Sequence, residues 1–157
     1  MITVGQLKTR LKRIPHVDDD ISGQEERYER LNQKLVDIGS PELTDMPRNP
    51  SPDYDHMAEM LYRLEELEKE IKGKRDFLRK ERKWVEDILW YMQSATEKKI
   101  IRLKYLDKEP WKDIQFILFG GENDFLENDE LYARKVYRIH GNALEHMCVI
   151  INQKNLW

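Results

Sequence analysis

From Val17 to Ile38 the apolar positions are Val17, Ile21, Tyr28, Leu31, Leu35 and Ile38, with Gln24 filling the one gap at heptad spacing. The steps of three, four and seven predict an amphipathic helix. Asp18, Asp19 and Asp20 would stand at its start, where carboxylates cap free N–H groups and suit the positive end of the helix dipole. Gly39 offers a stop. Residues 39–55 hold Pro41, Pro47, Pro50 and Pro52, which forbid a continuous helix and predict a connector. Beyond it Met57, Leu64, Ile71, Leu78, Val85 and Met92 recur every seventh position, accompanied by Met60, Leu67, Lys74, Glu81 and Ile88. This predicts a long helix over His56–Ser94 whose seam is polar in the middle, next to Gly73. Such a helix cannot bury its stripe alone, and the first helix, folded back antiparallel, is its nearest partner. The first helix is the shorter, so Leu78 to Met92 needs another surface, either the C-terminal segment or a second chain. Self-association is expected on that ground.

Three short helices should follow. Thr96 is placed to cap one that runs to Leu106, with Ile100, Ile101, Leu103 and Tyr105 as its apolar set. Asp107, Lys108 and Glu109 make a turn, and Pro110 suits the first helical position of Trp111–Phe119. Gly120 and Gly121 end that helix. An acidic loop carries Glu122, Asp124, Glu127, Asp129 and Glu130, and the last helix runs from Asp129 to Ile151. Its buried stripe would be Val136, Ile139, Ala143, Met147 and Ile150. No alternating Val/Ile/Thr-rich run predicts a strand. The expected fold is all-α: a coiled-coil-like helical hairpin followed by a helix-turn-helix. The expected divisions are a basic N-terminal segment 1–13, an antiparallel hairpin 14–94 with its Pro-rich connector 39–55, and a helix-turn-helix domain 95–157.

Composition agrees with this layout. Of 157 residues, 36% are charged and 39% hydrophobic, and the mean hydropathy is −0.80, which suits helices that bury one stripe and solvate the rest. With 27 Lys and Arg against 30 Asp and Glu, the net charge of −3 excludes a uniformly basic, histone-like protein. The charge is nevertheless blocked: +4 over 1–13, −10 over 14–71, +6 over 72–104 and −3 over 105–157. Such blocks are commonly solvated faces, and they can also orient a protein on a polyanion. The single cysteine, Cys148, excludes an internal disulfide and argues against a cysteine-based zinc site. No apolar run approaches the ~20 residues that span a bilayer. Residues 1–13 lack the apolar stretch of a secretory signal. The expectation is a cytoplasmic protein without a membrane partner.

Short helices braced against a longer last one form the skeleton of a helix-turn-helix, in which one helix enters a major groove ~12 Å wide. With Val136 facing inward, Arg134, Arg138, Gly141 and Glu145 lie on the opposite face of the last helix, flanked by Lys135 and Asn142. Arg can bond two guanine acceptors and Asn can do the same on adenine, so Arg134, Lys135, Arg138 and Asn142 are the expected groove contacts. Gly141 would allow close approach of the backbone. Lys98, Lys99, Arg102 and Lys104 are the expected phosphate contacts, which position without specifying.

The stretch KKIIRLKYLDKEPWKDI over 98–114, followed by RKVYRIHGNAL over 134–144, resembles the C-terminal helix-turn-helix of sigma factors that reads the −35 promoter element. Leu103–Leu106 is similar to the end of that region's first helix, Trp111–Ile114 to its second helix, and Val136–Leu144 to its reading helix. Upstream, Leu43–Arg48 in a Pro-rich connector, followed by a long Glu/Lys-rich helix, resembles phage regulators of the ArpU and RinA type. Asp45-Met46-Pro47 and Arg138–Gly141 are the most distinctive pieces. The resemblance implies a phage- or prophage-encoded regulator of late-gene transcription, in a bacterial host, that binds a promoter-region site on double-stranded DNA. One small module buries limited DNA surface, so an oligomer on repeated half-sites is expected, and host RNA polymerase is a candidate partner for the acidic loop. The acidic loop Phe119–Asp129 departs from the sigma pattern, whose turn is shorter. It would repel phosphates and must point away from DNA or face a partner.

Other chemistry is weaker. His140, His146 and Cys148 do not share one helical face, and a fourth ligand is missing, so no metal is expected. The Asp18–Asp20 run is explained by capping, the acidic loop lacks EF-hand spacing, and Gly120-Gly121 does not follow a strand as a phosphate loop would. No catalytic set is evident from spacing, and neither an enzyme nor a cofactor is expected. Trp84, Trp90 and Trp111 read as packing anchors. Two rivals stay open: a small-terminase-like DNA-packaging protein, and a coiled-coil interaction module or antirepressor that binds no DNA.

Overall fold

The computed structural model describes the backbone of residues 1–39 and 52–157 and the side chains of 1–37 and 55–157. The middle of the Pro-rich connector, with Asp45, Met46 and Pro47, lies outside the described residues. Five α-helices are described: α1 (Val4–Gly39), α2 (Pro52–Tyr91), α3 (Ala95–Ile101), α4 (Trp111–Phe119) and α5 (Asp129–Lys154). A π-helical turn, Arg102–Leu106, continues α3. Among the described residues there is no strand, and no helix is long and apolar enough to cross a membrane.

The expected start of the first helix at Val17 is corrected by thirteen residues, because α1 begins at Val4. Thr3 and Gln6 form its capping box: the Thr3 hydroxyl accepts from the Gln6 N–H at 3.3 Å, and the Gln6 side-chain oxygen accepts from the Thr3 N–H at 2.9 Å. Asp18, Asp19 and Asp20 are therefore mid-helix rather than at the N-terminus they were expected to cap. Pro15 stands inside α1 at a cost of about 3 kcal/mol. Leu7, Leu11 and Ile14 are fully buried. At roughly 1.5–3 kcal/mol each they outweigh the proline and carry the helix through it.

The chain divides into two compact units, Val17–Leu78 and Met1–His16 with Arg79–Trp157. The expected boundaries at 13/14 and 94/95 differ from this division: residues 4–13 are the start of α1, which buries Leu7 and Leu11 and leaves Lys8, Lys12 and Arg13 exposed. The first unit is an antiparallel helical hairpin. Ile21, Met60, Leu64, Leu67, Ile71 and Leu78 are buried in its seam. Its register is held by Gln24 donating to Glu70 at 2.8 Å and by the ion pairs Lys74–Asp20 and Arg75–Glu25. Lys74, a polar interruption of the heptad, thereby finds its partner across the hairpin.

In the second unit Val85, Ile88, Leu89 and Met92 are buried within the single chain. The C-terminal end of the chain belongs to the same unit. The Trp84 indole N–H donates to the Leu156 carbonyl, Trp157 meets Trp84 edge-on at 5.9 Å, and Asn152 exchanges bonds with the Ile2 backbone. This part of the seam is filled by the chain itself, so the argument for self-association from an uncovered seam falls away. Trp90 is 81% exposed and is not the packing anchor expected of it, and Trp157, though it touches Trp84, is itself 55% exposed.

Candidate nucleic-acid interface

Helices α3, α4 and α5 meet around Ile100, Ile114 and Val136, with Leu103, Trp111, Leu118, Phe119 and Ile139 packed against them. Ser94, rather than the expected Thr96, caps α3: its hydroxyl accepts from the Glu97 N–H. The buried Glu97 carboxylate receives His146 Nδ1 at 2.7 Å. Pro110 stands one position before α4, in extended conformation, and leaves the first turn of that helix free to start at Trp111. Besides Val136, α5 buries Tyr132, His140, Ala143, Leu144, Met147, Cys148 and Ile151, a wider stripe than the apolar spacing marked.

The side of α5 away from this core carries the expected groove residues. Arg134, Arg138 and Asn142 are exposed at successive four-residue steps, so they form one stripe along the helix, with exposed Tyr137 beside them. Arg134 reaches its neighbour Glu130 at 3.7 Å; both are largely solvated. Gly141 interrupts the stripe, and a Cβ built on it would meet nothing within 4 Å. Lys135 departs from the expectation. It is half-buried, with its ammonium 4.6 Å from the Tyr132 ring and 5.8 Å from the Phe119 ring, drawn off the stripe by cation–π attraction.

The four expected phosphate contacts separate in the same way. Lys99 is exposed and Lys98 half-buried. Arg102 forms a bidentate pair with Glu86 at 2.8 and 2.6 Å, which holds the Glu86 carboxyl below its usual range. Lys104 donates to the Glu109 carbonyl at 3.2 Å and lies 4.8 Å from the centre of the Trp111 ring, closing the turn before α4. Lys98 and Lys99 are thus the better placed of the four.

Beneath the stripe, His140 and Tyr105 share a buried hydrogen bond of 3.0 Å, and Trp111 meets the imidazole edge-on. Burial, reinforced by the positive charges of Lys8 on α1 and Lys104 on the turn, pushes His140 down to about 4, and burial pushes Tyr105 up to about 12. A base depressed in the fold stabilises it fully above its unfolded value near 6.5. That contribution is lost as the pH falls towards 4, because the unfolded chain takes the proton first. Lowering the pH from 7 to 5 should therefore cost on the order of 1–2 kcal/mol through this one residue. Urea titrations of the native chain and of His140→Gln should diverge below pH 6.5; parallel curves would show that His140 is not held neutral.

The acidic loop is a built structure. Tyr132 donates to Asp124 at 2.6 Å, Asn128 donates to Asp124, and Gln115 donates to both the backbone and the side chain of Asp129. The Tyr132 bond holds the Asp124 carboxyl low and pushes the phenol up to about 12. Phe116, Phe125, Tyr132 and Phe119 make a chain of ring contacts beneath it. Among the described residues, no group of three or more His, Cys, Asp and Glu side chains is placed to hold a metal ion.

Charge follows the division into units. Met1–His16 with Arg79–Trp157 holds 18 basic and 13 acidic side chains, net +5, whereas Val17–Leu78 holds 9 and 17, net −8. The cationic surplus of the chain therefore belongs to the unit that contains α5. Comparisons with protein-family models, with curated proteins and with solved structures return no match to this chain.

Proposed function

We propose that the chain is a sequence-specific double-stranded DNA-binding protein that regulates transcription, with α3–α5 as a helix-turn-helix and α5 as the reading helix. The observation that carries this is the solvent-facing stripe Arg134–Arg138–Asn142 on a helix whose other side is locked into a three-helix core. Arg138 and Asn142 supply the bidentate donors and acceptors that distinguish guanine and adenine in the major groove. Lys98 and Lys99 hold phosphates, and the net charge of +5 on their unit favours a polyanion. The nine residues between α4 and α5, three of them acidic, stay outside the groove, so the middle of α5 does the reading. The resemblance to sigma-type helix-turn-helices and to ArpU- and RinA-type regulators makes phage or prophage late-gene control the biological setting, in a bacterial cytoplasm. One small module covers little DNA, so binding as an oligomer on repeated half-sites belongs to the same proposal.

Selection of bound duplexes from a random pool, followed by titration over increasing salt, tests it. A recovered consensus is expected, with log K falling linearly in log salt by about 0.9 per phosphate contact. An absence of salt-dependent duplex affinity would leave an interaction module in its place. Gly141→Ala adds a finer check. The new methyl enters open space and should stabilise α5 by roughly 0.5–1 kcal/mol. It should also weaken DNA binding where the backbone approaches the duplex. A higher melting temperature with unchanged affinity would remove that role from Gly141.

A further inference from the structure

The α4–α5 corner presents apolar side chains that the proposed DNA contact does not use. Leu126, at the tip of the loop, is 91% exposed, Phe116 on α4 65% and Leu131 on α5 49%. The Phe116 ring meets that of Phe125, the neighbour of Leu126, so Phe116 and the loop tip form one patch. Beside it opens a cleft of about 510 Å³ lined by Glu127, Asn128, Asp129, Glu130, Leu131 and Arg134. Residues 120–133 contain five carboxylates and no basic side chain.

From this combination we infer that the α4–α5 corner is a docking surface for a cationic amphipathic segment of a partner protein. Apolar side chains of that segment would lie on Phe116 and Leu126, and a Lys or Arg would meet Glu127, Asp129 and Glu130 in the cleft over Leu131, whose lining cation, Arg134, is set against Glu130. Charge selects this occupant. Five carboxylates repel a phosphate backbone, and they repel an anionic lipid surface for the same reason. A second copy docked through the same face in a two-fold arrangement would set carboxylates against carboxylates. The bonds from Tyr132, Asn128 and Gln115 fix the loop, so the partner meets a preorganised face. The surface shares Arg134, which also lines the cleft, with the proposed DNA stripe, whereas Arg138, Asn142, Lys98 and Lys99 are separate from it.

The test uses the full chain and a fluorescent Leu/Lys peptide of helical amphipathic spacing. Saturable binding is expected. Phe116→Ser with Leu126→Ser, and separately Glu127→Lys with Glu130→Lys, should each weaken it by about tenfold or more, a loss of 1.4 kcal/mol or more. The same peptide with Glu in place of Lys should not bind, and the Phe116→Ser/Leu126→Ser chain should keep its far-ultraviolet circular dichroism and its duplex affinity. Undiminished peptide binding in both variants would place it on the acidic hairpin and overturn the inference. So would equal affinity for polylysine, a changed sedimentation coefficient in the serine variant (which would assign the patch to a second copy), or loss of duplex affinity in that variant.

Discussion

Arg138→Ala is expected to lower affinity for the selected duplex by roughly 1–3 kcal/mol, about 5- to 150-fold, and to relax base preference at one position. The guanidinium is exposed and has no side-chain partner among the described residues, so the variant should unfold at the native temperature. Lys99→Ala is its counterpart. A phosphate contact carries no sequence information, so this variant should weaken all duplexes alike and reduce the salt slope by about one. The contrast between the two is the informative quantity. Equal losses on selected and scrambled duplexes from both variants would strip Arg138 of its reading role while leaving a nonspecific cationic surface intact. Competition titrations with single-base variants of the duplex make the distinction.

Glu81→Ala should have the largest effect on stability. Arg10 donates to both Glu81 oxygens at 2.8 Å, with the two side chains only 24% and 11% exposed. The guanidinium also lies 3.7 Å from the centre of the Trp84 ring and 5.0 Å from that of Trp157. Removing the carboxylate leaves a cation against aromatic rings with its charge uncompensated. Loss of one partner of a buried pair costs about 3–5 kcal/mol, and the residual exposure of Arg10 places this case near the lower end. Arg10→Met combined with Glu81→Leu should recover most of the loss, since a well-packed apolar pair replaces a desolvated ionic one. The Arg102–Glu86 pair, with both side chains more than 40% exposed, should contribute under about 1 kcal/mol by the same measurement. Urea denaturation of these two variants and of Glu86→Ala checks this ordering. A cost below about 1 kcal/mol for Glu81→Ala would mean that the pair is solvated in the folded chain.

The periodicities that proved legible are those whose partners lie along one helix. The sevenfold series from Leu64 to Met92 is buried as expected, and α4 has the predicted bounds of Trp111 and Phe119. The same logic, carried upstream, would have found the start of α1. Leu7, Ile14, Ile21, Tyr28 and Leu35 make one unbroken heptad series, and Thr3-x-x-Gln6 is a capping signal. Pro15 and the local run of positive charge concealed both, because a proline reads as a break unless the burial on either side of it is known. Glu81 is a different case. It looked like an interruption of the seam, and only Arg10, 71 residues away, explains it. The candidate interface divides along the same line. Exposure of Arg134, Arg138 and Asn142 follows from helical spacing relative to Val136 alone. Arg102 and Lys104 were assigned from charge, yet Glu86 occupies one and the Glu109 carbonyl the other. Lys135 sits over aromatic rings that a helical wheel does not contain. Partners supplied by other elements were the part that spacing could not reveal.

Photo-cross-linking of the full chain to a selected duplex that carries 5-iodouracil in its recognition site addresses the central claim most directly. Tyr137 stands exposed beside Arg138 and is a reactive ring next to the proposed reading stripe. The account predicts a specific adduct on the peptide that contains Tyr137, lost when unlabelled selected duplex competes and retained when scrambled duplex does. Adducts confined to Tyr28 or Tyr62 of the hairpin, or a bound duplex that never labels α5, would contradict it.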